Sequence, residues 1–480
     1  MAVKIVVLSL YAVMIVTIGV IGLRKTRSFS DFFLGGGKVG PWMSAFSYGT
    51  AYFSAVLFIG FAGKIGWGFG FSSLWIALFN SLIGVLGVWW IMGWKIKKVS
   101  VEYKISTMNE FLEKRYDSKF LKLFSSFSIF IFLIPYSAAV FMGLSYLFEA
   151  NFGIEYWQAL IFIGLFTATY IVLGGYKSMA MIDMVFGIIM TIGVLILLVS
   201  TIKTGNGLGN ITESLRNINP KLVSTVGPPG IWPLFCLVFL TSIAPFAMPQ
   251  LVQKFYAIKD RSAVRIGMFA STLFAILIGG VAYFVGSTTR IFLNPANNPL
   301  AFKDGKPVFD ILMPELLARV IPQSLSVIIL LLILSASMST LAALVLISSS
   351  SFSKDFYAGF INRNISDKKL TLLMRFMNGF FVMLSVILAA LNIDTIVSVL
   401  SISWGAIGSV FLGPFVWGLF SKKVNRFGAI FSSITGLSVC LLLYFAGHSP
   451  PEAGTLGMIT SLVANPAGSF FYNALKFKKI

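Results

Sequence analysis

GPWMSAFSYGTAYFSAVLFIGFAGKIGWGFG, residues 40–70, is apolar enough and long enough to cross a bilayer, yet Gly49, Thr50, Tyr52 and Ser54 interrupt it halfway. Small and polar residues let a membrane helix unwind, provided that the bared carbonyls face a cavity or an ion. Close packing of Gly49 and Ser54 against a neighbouring helix is the alternative reading.

Comparable runs recur along the chain. A spanning helix needs roughly 20 mostly apolar residues. Thirteen candidates lie near 3–23, 41–63, 69–94, 120–148, 155–175, 178–202, 230–254, 264–287, 323–350, 370–391, 394–420, 426–446 and 455–475, numbered here as spans 1 to 13. The first run is too long for a signal peptide and lacks a small-residue cleavage site, so it counts as a span. No segment alternates as an outer-membrane barrel strand does. The predicted class is an all-α, polytopic membrane protein forming a single transmembrane domain.

Composition agrees. Of 480 residues, 57% are hydrophobic and 11% charged, against about 25% charged in a soluble domain. The formal charge of +20 could suggest nucleic acid, but the basic residues sit in the short gaps between apolar runs, which reads as topology. With the N-terminus outside, 28 of the 37 Lys and Arg fall on the inner side. This predicts an N-terminus outside, a C-terminus in the cytoplasm and, with such compact loops, a prokaryotic plasma (inner) membrane. Cys236 and Cys440 lie inside apolar runs and His448 in a Pro-flanked loop, which is no pattern for a zinc or haem site. The longer outer loops are 203–229, rich in Gly, Asn and Pro, and 288–322, where a short surface helix is expected. Neither is long enough for an enzyme domain, and no soluble module follows Ile480. No nucleophile–base pair, metal cluster or phosphate loop supports an enzyme.

Three further segments carry chemistry. In span 9, IILLLILSASMSTLAALVLISSSSFSKDF, Ala336, Ser339 and Thr340 stand at i, i+3 and i+4 on one helix face. Two hydroxyls and a carbonyl there can serve a hard cation; the alternative is that each hydroxyl bonds its own i−4 carbonyl. In span 7, Pro245 and Pro249 each remove a donor and bend the helix. After span 5, GGYKSMAMIDMVFG carries Asp183 into span 6, either as a functional intramembrane carboxylate or as one paired near the surface to Lys177 or to helix amides.

Taken together, FSDFFLGGGKVGP (29–41), GPWMSAFSYGTAYFS, GGYKSMAMID, PQLVQKFYAIKD, SASMSTLAALVLISSSSFSKDFY and WGAIGSVFLGPFVWGLF (404–420) resemble the sodium/solute symporter family, and sodium/proline symporters within it. The resemblance implies thirteen spans and a leucine-transporter-type core of two inverted five-helix repeats, here 41–202 and 230–420. Residues 1–40 hold the first helix, and 421–480 add two C-terminal helices. It implies a sodium ion held by backbone oxygens of Thr50, Phe53 and Ala336 and by hydroxyls of Ser339 and Thr340. Ser54, Tyr136, Thr241, Pro245 and Pro249 fall on substrate positions. Tyr52 and Asp183 are candidate coupling residues. There are departures. Tyr52 stands where proline-transporting relatives have an acid. Thr241 and Pro245 replace aromatic residues of the solute site. Ala342 and Ala343 stand where some relatives bind a second sodium, so one sodium is expected. Beside Asp183, the sixth-span motif reads Ile182 and Phe186. The implied function is sodium-coupled symport of a small organic solute, an amino acid such as proline or a small carboxylate; sugars fit less well. A non-transporting solute sensor and a proton-coupled carrier are the alternatives. The implied partners are the solute, sodium and the lipid bilayer, with no nucleic acid and no obligate protein partner.

Overall fold

A computed structural model describes residues 2–25 and 28–477. Each of the thirteen expected segments is helical. Nine helices are long and apolar enough to cross a membrane among the described residues, ten when the bent pair Ile231–Ala247 and Pro249–Ala257 counts as one. The difference from thirteen has physical causes. Spans 2 and 3 run together as Val56–Glu102, separated only by the turn at Gly70, whose φ of +59° is a left-handed conformation open to glycine. Span 5, Tyr156–Leu173, is short, and span 13, Pro450–Phe477, is long but less apolar; the first half of span 2 is a separate helix. Of the charges behind the predicted orientation, Arg27, Lys478 and Lys479 lie outside the described residues.

Burial orders the bundle. The most apolar windows of spans 9 and 11 are 83% and 94% buried and form its centre, whereas that of span 1 is 17% buried and leaves its apolar face to lipid. Span 2 starts at Pro41, in the first helical position where a missing N–H costs nothing, and runs as a helix to Tyr52. The break comes later than the sequence suggested. Gly49 is helical and close-packed, since a Cβ there would lie 2.7 Å from the Phe274 ring. The chain unwinds at Phe53 and Ser54, with Phe53 extended at φ −101°, ψ 128°, and resumes in wide turns at Val56–Phe61.

Span 7 breaks at its prolines. Ile231–Ile243 passes into a tight turn at Ala244–Ala247, Met248 is extended, and Pro249–Ala257 restarts at an angle of 41°. In the longer loops, 203–229 is more ordered than its composition suggested. Leu208–Ile218 forms an amphipathic helix that buries Ile211 and Leu215 against Leu222. Segment 288–322 carries a hairpin, Phe302–Lys303 with Lys306–Pro307, and the expected helix, Phe309–Val320.

Candidate functional site

The two breaks lie against span 9. At the first, the Ala55 N–H has lost its helical acceptor and donates to Ser337 Oγ at 2.9 Å. The carbonyls bared beside it converge on Thr340. Thr340 Oγ1 stands 3.1 Å from Ala51 O, 3.4 Å from Phe53 O and 3.5 Å from Thr50 O, and also 3.1 Å from Ala336 O, its own i−4 carbonyl. The i−4 contact is thus present, and three further carbonyls face the same hydroxyl. It carries one proton and can serve one acceptor at a time, so the cluster holds more acceptors than donors. Ser339 Oγ lies 2.9 Å from Thr50 Oγ1. Thr50, Phe53, Ala336, Ser339 and Thr340 are all buried and brought together. Ala51 contributes a carbonyl that residue spacing did not single out.

Asp183 is 2% exposed, and it does not pair with Lys177, which is exposed. Ser47 Oγ donates to Asp183 Oδ2 at 2.6 Å, and Lys254 Nζ donates to Ser47 Oγ at 2.8 Å and stands 3.9 Å from the carboxylate. The hydroxyls of Ser339 and Thr50 also interact electrostatically with this carboxylate, which couples it to the oxygen cluster. Sequence reasoning missed Ser47 and Lys254. Their only signal was a lysine on the inner half of a broken span, read there as a topology mark.

Across the break from this cluster is a cavity of about 50 Å³. Of the solute positions named from the sequence, Ser54, Tyr136 and Thr241 line it, together with the coupling candidate Tyr52 and with Phe53, Asn80, Tyr283 and Trp404. Pro245 and Pro249 do not; they act through the backbone. Pro245 has no N–H to offer the carbonyl four residues before it, which is that of Thr241. Tyr52 Oη donates to this freed carbonyl at 2.8 Å and Asn80 Nδ2 at 2.6 Å. Trp404 packs edge-on against both Tyr52 and Tyr136. No side chain lining the cavity carries a formal charge.

With this geometry the chain was compared with known proteins. The pattern of the sodium:solute symporter family matches residues 32–436. A sodium/pantothenate symporter of Haemophilus influenzae is 27% identical over 470 residues, spanning 93% of this chain and 92% of the relative. The high-affinity proline transporter PutP of Bacillus subtilis is 27% identical over 445 residues, covering 90% of each. Among solved structures, a sodium-coupled sialic acid symporter in a substrate-bound, outward-open state superposes with a TM-score of 0.83 at 19% identity, over 98% of this chain and 97% of that one. That likeness is one of fold.

Proposed function

The chain belongs to the sodium:solute symporter family, and from that premise we propose that it couples sodium entry to the uptake of a small organic solute by alternating access. The observation that carries this reading is the acceptor-rich cluster at Thr340. Carbonyls of Thr50, Phe53 and Ala336, with the hydroxyls of Ser339 and Thr340, are hard, uncharged oxygens suited to one sodium ion. The ion would draw the unwound part of span 2 onto span 9. The cavity on the other side of the same backbone would then hold the solute, so each ligand helps to order the segment that the other needs.

For the solute, an amino acid such as proline or a small carboxylate fits best. Two relatives are a pantothenate symporter and a proline transporter, and both of those solutes carry a carboxylate. The cavity of this chain offers aromatic and aliphatic walls with few amide or acidic groups, which disfavours a sugar. A carboxylate there would be held by the half-helix N-termini rather than by an arginine. Tyr136, Ser54 and Trp404 would hold the rest. The basic bias supports an N-terminus outside and a C-terminus inside the plasma membrane, and the two arms of the core would be 41–202 and 230–420. An inward membrane potential adds about 2.3 kcal/mol per charge per 100 mV to the driving force.

The test is uptake into proteoliposomes of a labelled panel (proline, other amino acids, short carboxylates, pantothenate, sugars) under an inward sodium gradient, with potassium as the control. Accumulation of one solute with sodium alone supports the reading and names the solute. Uptake that follows pH and ignores sodium overturns it.

A further inference from the structure

Lys254 is 2% exposed, and its ammonium reaches no water. It sits on Pro249–Ala257, the inner half of broken span 7, and its partners lie on other elements. Ser47 on the inner half of span 2 takes its hydrogen bond, the Tyr176 ring at the start of span 6 lies 5.0 Å away, and Asp183 on span 6 is the only acid paired with it among the described residues. A buried carboxylate requires a nearby positive charge, because neither charge is stable alone in this environment. The Asp183 carboxylate is also coupled to Ser339 and Thr50, which belong to the proposed sodium cluster. Hydrogen bonds thus join Lys254 on the half-helix through Ser47 to Asp183, whose carboxylate interacts electrostatically with that cluster.

We propose that Lys254 is a tethered cation that occupies the charge position beside Asp183, so that this carboxylate needs no second sodium ion, and that it transmits sodium occupancy to the inner half of span 7. The chemistry of the position supports both parts. Asp183 and the hydroxyls of Ser47, Ser339 and Thr50 are hard oxygens of the type that sodium takes, and the ammonium is the group that competes for them. Because the ammonium is carried by a half-helix packed at a break, any swing of that half-helix draws it away from Asp183. Sodium bound at Ser339 adds positive charge on the far side of the same carboxylate and so alters the hold of Asp183 on Lys254. This inference rests on the sodium-coupled reading above.

The experiment is binding of radioactive sodium to the purified full-length protein, which needs no knowledge of the solute. Wild type and Lys254→Arg are expected to bind one ion with a Hill coefficient of one. Lys254→Gln is expected to bind a second ion, its coefficient rising towards two, and Asp183→Asn/Lys254→Gln to return to one. A Lys254→Gln protein with unchanged stoichiometry and a sodium affinity within about twofold of wild type overturns the inference while leaving sodium coupling intact. If wild type binds no sodium, the coupling reading itself falls. Should Lys254→Gln fail to give folded protein, recovery of folded, one-sodium protein in the double variant supports the charge pairing, and failure of the double variant as well overturns it.

Discussion

Tyr52 reaches across the middle of the bundle to Thr241, 189 residues away in sequence, and its phenol donates to the Thr241 carbonyl at 2.8 Å. The bond exists because of Pro245, which leaves that carbonyl without its helical donor. It ties the break of span 2 to the break of span 7 through a wall of the solute cavity. Tyr52→Phe removes one donor and leaves Asn80 Nδ2 in place at 2.6 Å. A neutral hydrogen bond of this kind contributes about 1 kcal/mol. Half-saturating solute in uptake assays should rise about fivefold, with sodium dependence unchanged. A larger shift in sodium than in solute would show that Tyr52 belongs to the ion site instead.

Ser339→Ala and Thr340→Ala each delete one hydroxyl from the acceptor-rich cluster. Hydrogen-bonding groups that serve a charge contribute about 1.5–3 kcal/mol, so half-saturating sodium should rise by about tenfold or more in each. Uptake measured over a sodium series checks this, and unchanged sodium dependence in both removes the cluster as an ion site.

Ser337 is the contrasting neighbour. Its hydroxyl donates to the Ile333 carbonyl at 2.7 Å and accepts the orphaned Ala55 N–H. Ser337→Ala leaves that buried N–H without a partner, which costs about 1–3 kcal/mol. The expected result is a lower melting temperature of the purified protein, with a smaller effect on sodium affinity than either substitution at 339 or 340.

These residues also mark how far sequence reasoning reaches. Spans follow from runs of about 20 apolar residues, a local property; all thirteen expected segments are helical, and nine or ten helices among the described residues are long and apolar enough to cross a membrane. Ser339 and Thr340 were legible because helical spacing puts them on one face with Ala336. The break in span 2 was placed a few residues early, because glycine in a membrane helix signals close packing as readily as unwinding, and Gly49 packs against Phe274. The helix Leu208–Ile218 escaped because a search for long apolar runs does not register a short amphipathic one. The contacts of Lys254 with Ser47, 207 residues away, and of Tyr52 with Thr241 are set by the packing of distant spans, and no local period records them.

The last prediction concerns the rim that the proposed orientation places outside. There Asp310 Oδ2 accepts the Ile396 N–H at 3.1 Å at the start of span 11, and Lys64 Nζ on span 2 donates to Thr395 Oγ1 at 2.9 Å. Burial pushes the Asp310 carboxyl up to about 6, against the pull of the Ile396 amide and the Lys64 ammonium and with the help of Asp394. Tyr146 and Tyr156 are the other titratable groups that feel this carboxylate. When the rim opens, water reaches Asp310 and its pKa returns to about 4. The closed rim therefore binds the proton more tightly than the open one. Its extra stability, about 3 kcal/mol, is complete below pH ~4 and is lost as pH rises through 6. Acidifying the outside from pH 7.5 to 5.5 should favour the closed rim and raise half-saturating sodium. Asp310→Asn cannot titrate and should flatten that dependence. A wild-type sodium response that is level across this range, or one that survives in Asp310→Asn, would show that the rim is not held by this carboxyl.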